Sequence, residues 1–322
     1  MCRRRVPSPR DAGVNVLAVG LAALGAVLFG LASVRQHRAV RDTASPARAG
    51  LRAQVAAGLR LLRQPSWLLG AGQAVLAGGL HVVALALAPI TLVQPVGVLA
   101  VPVTVVASAV AHRRRPSRAQ TVGSLLSVVG VAALTVVLLL PASRPGTLPT
   151  WPALAAGVGA VAGVAGALAL VLGRAWAPSL VRCVSRAVVA AVLFGLNSVL
   201  IRALGEVVAA SSWADHTGLV VTSLVGLAVA LPVGVWAMQS AYLFGSPQVV
   251  ICCLTLVDPL AAVLGGRTFL QDGAAVTGGV LAAAVGCALV AALGVVLLAR
   301  DYPAEPAVTV TSGVHEPEHQ PS

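Results

Sequence analysis

The sequence predicts an all-α, polytopic membrane protein of about nine transmembrane helices. Three observations predict it: a heavy excess of apolar over charged residues, apolar runs of membrane-crossing length, and positive charge gathered at the ends of those runs. Hydrophobic residues are 58% of the 322 and charged residues 10%, whereas soluble globular chains carry roughly a quarter charged residues. Mean hydropathy is +0.92, which excludes a water-soluble fold. Aromatics are only 3%, so helices built mainly from Ala, Val, Leu and Gly should approach through small residues and not through ring packing.

Nine stretches reach, or nearly reach, the ~20 residues that cross a hydrocarbon core. They are Val14 to Val34, Trp67 to Leu87, Thr91 to Ala111, Thr121 to Leu140, Pro152 to Leu172, Val184 to Leu204, Thr217 to Met238, Val249 to Phe269 and Ala274 to Ala299. In lipid every backbone polar group must be satisfied within the segment, so these are helices and not strands. In the sixth, Arg186 and Arg202 bracket the apolar stretch Ala187 to Ile201, and their long side chains can snorkel toward opposite interfaces. The first follows Arg3, Arg4 and Arg5. It exceeds a signal-peptide core and lacks a small-residue cleavage motif, so it reads as a span.

The organisation expected is an N-terminal segment (1–13), a transmembrane domain (14–300) in two halves (14–140 and 152–300), and a disordered tail (301–322) rich in Pro, Glu, His and Ser. Leu51 to Gln64 is too short and too charged to cross. Its apolar Leu51, Val55 and Leu59 recur every four residues, which suits a helix lying in the interface.

The net charge of +12 comes from 22 arginines and no lysine. They flank apolar runs, so they orient the chain and do not mark a nucleic-acid surface. One face receives Arg35, Arg38, Arg41, Arg48, Arg52, Arg60 and Arg63, then Arg113, Arg114, Arg115 and Arg118, then Arg174 and Arg182. The other receives Arg3, Arg4, Arg5 and Arg10, then only Arg144 and Arg267. The richer face should be cytoplasmic, with the N-terminus outside and the C-terminus inside a plasma membrane. Five scattered cysteines show neither zinc-site nor disulfide spacing.

Setting Pro102 against Pro259 lays the second to fourth spans over the last three. Each unit has a long helix, a turn holding Pro89 or Pro247, a proline-interrupted helix and a glycine-containing final helix. The copies lie five helices apart, an odd number, so they cross with opposite polarity. That is the inverted-repeat layout of secondary carriers, whose sites sit where interrupted helices expose backbone groups. Pro95, Pro102 and Pro259 are the helix breaks this predicts.

The stretch RQPSWLLGAGQAVLAGGLHVVALALAPITLVQPVGVLAVPVTVVASAVAHRRRPS, Arg63 to Ser117, resembles the drug/metabolite transporter superfamily, in the EamA-like branch near the NIPA-type magnesium transporters. The resemblance is carried mainly by Ala86 to Gly97 and more loosely by Gly245 to Gly266. It implies a helical carrier of metabolites, amino acids, nucleotide sugars or Mg²⁺, with nine spans and an external N-terminus. The chain departs from the ten-helix pattern by one span in its first half, and shows His112 and Arg113 where an acidic residue is common.

Asp258 lies near the centre of its span, where a carboxylate costs at least ~2.5–3.5 kcal/mol, and it precedes Pro259. It is either a proton, cation or substrate site, or a buried acid pinning two helices, with Arg202 its first candidate partner and Thr255 a candidate hydrogen-bond donor. Gln94, beside Pro95, offers an amide to a polar solute or to the freed backbone. His81, on the second span, is either a proton relay or interhelical glue. Asn197 reads as glue or lining. Thr104 and Ser108 share a face and either line a cavity or bond their own helix. Gln239 and Gln248 flank the Gly245 turn, at an interface.

No enzyme constellation is present: no H-E-x-x-H, no G-x-S-x-G and no Walker loop. The expected function is secondary transport of a small solute (metabolite, amino acid or cation) by alternating access, coupled to the proton gradient. The alternative is a non-transporting membrane scaffold. Paired acidic residues are lacking, which counts against a preformed Mg²⁺ site, and no metal ligand set is defined. The expected partners are a small-molecule or ion substrate and the lipid bilayer, with a homodimer open and nucleic acid excluded. No cofactor is expected.

Overall fold

A computed structural model describes residues 9–43, 56, 58–87, 93, 96–139, 149–172, 177–209, 214–269 and 278–300. Among them lie nine long helices: α1 (Pro9–Thr43), α2 (Pro65–Leu87), α3 (Ala100–Ala111), α4 (Arg118–Leu139), α5 (Trp151–Leu172), α6 (Ser179–Ala209), α7 (Thr217–Ala241), α8 (Pro247–Phe269) and α9 (Gly278–Arg300). No strand occurs among the described residues, and eight of these helices are long and apolar enough to cross a membrane. The protein is an all-α, multi-pass membrane protein.

The exception is α3. A span over Thr91 to Ala111 is expected, yet the regular helix is the 12 residues Ala100–Ala111, ~18 Å at 1.5 Å per residue. Ahead of it, Leu99 N–H donates to the Val96 carbonyl at 3.1 Å and Val101 N–H to the Val98 carbonyl at 3.0 Å, the tighter i→i+3 pattern. Pro102 therefore sits in the first turn of α3, where a missing N–H costs nothing. It begins a helix and does not break one. Pro259 lies inside α8, which runs unbroken from Pro247 to Phe269, so its effect is one lost backbone bond and not an interruption.

The far end of α3 closes with Arg114 N–H donating to the Ala109 carbonyl at 2.9 Å and Arg113 N–H to the Val110 carbonyl at 3.0 Å. Arg113 takes φ 53° to make this turn, a left-handed conformation that costs a side-chain-bearing residue ~1–2 kcal/mol. Arg113→Gly should raise thermal stability by about 1 kcal/mol in a detergent melting curve.

Valines and leucines stand exposed all round the bundle: Val75 is 76% exposed, Val16 73% and Trp236 68%. In water such a surface would drive association. In lipid it is the surface that meets the solvent.

The core lies where α6 and α8 cross, and α6 is the most buried of the eight spans among the described residues. Helix contacts repeat with an offset of five. The pairs α1–α2, α1–α3 and α3–α4 recur as α6–α7, α6–α8 and α8–α9, and α5, packed on α6, α7 and α8, stands outside this pairing. The two sets meet through α4 on α9 and through α8 on α3, α1 and α4. Small residues set the spacing at α4–α9: a Cβ on Gly123 would stand 2.9 Å from the Gly294 carbonyl oxygen. Such close backbone approach is how helices associate in lipid, where no hydrophobic force separates helix from tail.

Residues 1–8 of the N-terminal segment, part of the interfacial stretch (51–55 and 57), Pro89, Thr91, Arg144, Arg174 and the tail 301–322 lie outside the described residues. Residues 58–61 are helical, with Leu59 and Leu62 exposed.

Candidate functional site: a cavity beside Asp258

Asp258 is the twelfth of 23 residues in α8, at mid-helix as its sequence position predicts. From Ser246 to Leu254 every residue is buried, and from Thr255 onward the helix is only half-buried. The change occurs because a cavity of about 290 Å³ opens there, walled by α1, α2, α4, α8 and the turn before α3. Its polar lining is Asp258 and Thr255 from α8, His81 from α2 and Thr135 from α4; Phe29 and Gly97 are among the remaining wall.

The structure thus brings together Asp258, Thr255, Pro259 and His81, residues from opposite halves of the sequence. Pro259 has no N–H to give the Thr255 carbonyl four residues back, so that oxygen is left without its helical partner beside the carboxylate. The Thr255 hydroxyl is not a donor to Asp258. It donates to the carbonyls of Ile251 at 3.0 Å and Cys252 at 3.2 Å, which corrects the role expected for it. The Thr135 hydroxyl donates to the Val131 carbonyl at 2.8 Å, leaving its oxygen lone pairs to face the cavity.

Arg202 is not the partner of Asp258. It lies 3.7 Å from Glu206 on the outer part of α6, both side chains nearly half exposed. One turn of helix separates Arg202 from Glu206, and this local pair competes successfully with a distant carboxylate. Among the described residues no cationic group lies within 4 Å of Asp258. An exposed i,i+4 pair is worth ~0.3–0.5 kcal/mol, so Arg202→Gln should leave both the melting temperature and transport within error of the wild type.

Asn197 is buried, with neither amide atom hydrogen-bonded. It is not part of the cavity wall. Two residues before it, Gly195 packs α6 directly on α8: a Cβ there would stand 2.9 Å from the Asp258 carbonyl oxygen and 2.9 Å from the Ala262 nitrogen. Sequence reasoning missed Gly195, since only the packing partner distinguishes it from the other glycines. Gln94 and Pro95 lie outside the described residues.

A second polar cluster joins the halves away from the cavity. Gln239 Nε2 donates to Gln36 Oε1 at 2.9 Å, linking α7 to α1 in a buried setting, and the His37 ring stands edge-on to Tyr242 at 5.8 Å. Gln239 and Gln248 are buried and not at an interface with solvent or headgroups. Thr104 also serves packing, donating to the Ala100 carbonyl at 2.7 Å and meeting Ser33 at 3.3 Å. Ser108 is buried on the same face. Gln239→Leu leaves the Gln36 carbonyl buried without its donor, so it should cost about 1–3 kcal/mol in thermal stability.

Two sets of helices related by contact pattern meet at a polar pocket at mid-helix depth, and one family model matches the first of them. Residues 13–146 match the family model Magnesium transporter NIPA. The NIPA-like stretch contains the whole of Arg63 to Ser117, so the resemblance read there is borne out, and this family lies within the drug/metabolite transporter superfamily. The matched family is one of transporters and not enzymes, and the match spans less than half of the chain. The match covers α1 to α4 with His81 and Thr135, and ends before α5, so Asp258 lies beyond it. No curated protein and no solved structure matches the chain.

Proposed function

We propose that the chain carries a hydrated divalent cation, Mg²⁺ foremost, through the Asp258 cavity by alternating access of its two inverted halves. The observation that carries this reading is the meeting of Asp258, a freed backbone carbonyl, a threonine hydroxyl and His81 around one cavity at mid-helix depth. Mg²⁺ takes oxygen ligands, dehydrates reluctantly and is commonly held by one or two carboxylates plus retained water. Among the described residues no three His, Cys, Asp or Glu side chains cluster, so a fully stripped ion would lack ligands. A hydrated one would not. Six waters at ~30 Å³ each occupy ~180 Å³, within the cavity's 290 Å³.

Among the described residues Asp258 supplies the only carboxylate charge lining this cavity, and one negative charge against two positive ones binds loosely enough to let the ion leave. The His81 imidazole faces the same space, and a neutral imidazole can accept a hydrogen bond from coordinated water. The arginine asymmetry supports a plasma-membrane protein with its N-terminus outside and its C-terminus cytoplasmic. A closed bundle with Asp258 packed on Arg202 would favour the scaffold alternative; instead Asp258 lines a cavity and Arg202 pairs with Glu206.

A ligand that binds only the folded state raises its melting temperature. Millimolar Mg²⁺ should therefore stabilise the purified protein, amino acids and nucleotides should not, and Asp258→Asn should abolish the Mg²⁺ effect. A shift with amino acids and none with Mg²⁺ would replace the cation reading by a metabolite one.

A further inference from the structure

A second cavity, larger than the one beside Asp258, lies elsewhere in the bundle. About 730 Å³ lies between α5, α6 and α7, sharing no wall residue with the Asp258 cavity. Its sides are mostly Ala, Val, Leu and Gly, including Ala162, Gly166, Leu193 and Gly226, with Trp236, Thr222 and Ser240 on α7, and among the described residues its one charged wall residue is Arg186. Its wall along α7 includes exposed Val225 and Val229.

Arg186 is fixed in place. Its Nη1 donates to the Arg182 carbonyl at 3.2 Å, and its guanidinium lies 4.3 Å from the Phe244 ring centroid, with that of Arg182 at 3.9 Å. Among the described residues no carboxylate lies within 4 Å of either arginine. Two like charges stacked on one ring without a counter-anion leave positive charge waiting at the end of an apolar groove. Along α6 the wall extends from Arg186 to Leu196, ten residues or ~15 Å, half of a ~30 Å hydrocarbon core. The groove therefore has the depth of one leaflet.

We infer that this groove is a binding site for one anionic phospholipid, an acyl chain lying between α5 and α7 and the phosphate meeting Arg186. Basic pockets between membrane helices capture anionic headgroups by this charge complementarity, and the apolar walls exclude a free polar solute. The site is independent of the cation reading, so failure of either leaves the other standing.

The test is lipid retention by the full-length protein in native mass spectrometry, comparing phosphatidylglycerol with phosphatidylcholine of identical acyl chains. The wild type should hold one phosphatidylglycerol with about fivefold preference, the worth of one arginine near an anionic group. Arg186→Gln should reduce the preference to near one, and Arg186→Lys should keep it. Ala162→Trp, which fills the groove, should lose both lipids, while soluble glycerol 3-phosphate should displace nothing. Equal binding of the two lipids by the wild type would overturn the proposal, as would an unchanged preference in Arg186→Gln. Displacement by glycerol 3-phosphate would assign the site to a soluble phosphate instead, and lipid-free dimers would assign the groove to a second copy of the chain. The wild-type and Arg186 measurements decide the matter even if Ala162→Trp does not fold.

Discussion

Asp258→Asn should lower cation uptake in proteoliposomes at least about tenfold while the protein inserts and melts as well as the wild type, or better. Both halves of that expectation come from one physical fact. A carboxylate at the centre of a membrane helix costs at least ~2.5–3.5 kcal/mol, and no cation within 4 Å among the described residues offsets that cost. Removing the charge therefore relieves the fold. If the cation depends on that charge, the same change removes its one anionic ligand, and losses of ten- to a hundredfold follow even from altering groups that only orient metal ligands. A carboxylate kept as a structural pin would behave oppositely, with stability falling and residual transport tracking the amount of folded protein. Melting temperature and initial uptake rate, measured on one preparation, separate the two.

The second large effect is expected at Gly195. A Cβ there would stand 2.6 Å from the Ala261 Cβ and 2.9 Å from the Asp258 carbonyl oxygen. These atoms are backbone or first side-chain carbon, which have no rotamer to move, so α6 and α8 must part. Overpacking of this kind costs ~1–3 kcal/mol, and here it displaces the backbone that carries Asp258. Gly195→Ala should lower the melting temperature and depress uptake together. Gly205 on the same helix has nothing within 4 Å of a would-be Cβ. There Gly→Ala should stabilise by ~0.5–1 kcal/mol, as alanine does in a helix interior. A melting temperature for Gly195→Ala equal to that for Gly205→Ala would contradict the close packing of α6 on α8.

The contrast between these two glycines shows what the sequence can and cannot carry. Apolar run length located eight of the nine long helices among the described residues, seven of them to within about five residues at each end, while α1 continues nine residues past Val34, because span length is dictated by bilayer thickness. Asp258 stood out because a lone mid-span carboxylate is costly anywhere in lipid. The faces of the helices did not stand out. In water, the alternation of polar and apolar residues says which side of a helix is buried. In a chain whose solvent is lipid, both sides are apolar, so Gly195 reads like Gly205 and Gln239 reads as an interface residue although it bonds Gln36 in the interior. Arg202 was misassigned for a related reason: span position placed it at a membrane edge, but only the structure shows Glu206 one turn away taking the pair. The shortened α3 was hidden because its approach, through Gly97 and Val98, is as hydrophobic as the helix itself.

The repeat was legible for a different reason. Prolines stand out against a background of Ala and Val, and aligning Pro102 with Pro259 gave the five-helix offset that the contacts α1–α2 and α6–α7, and α1–α3 and α6–α8, follow. The local meaning of those prolines did not carry over. Pro102 starts a helix and Pro259 sits within one, and the consequence for the cavity comes from Pro259 alone.

The central claim is that a hydrated divalent cation crosses through the Asp258 cavity, and Mg²⁺ influx into proteoliposomes loaded with a Mg²⁺-sensitive dye tests it most directly. With purified wild-type protein and an inward Mg²⁺ gradient, the account predicts saturable entry well above that of protein-free vesicles, lost in Asp258→Asn and retained in Arg202→Gln. Entry no faster than in empty vesicles, or equal entry through wild type and Asp258→Asn, would contradict it.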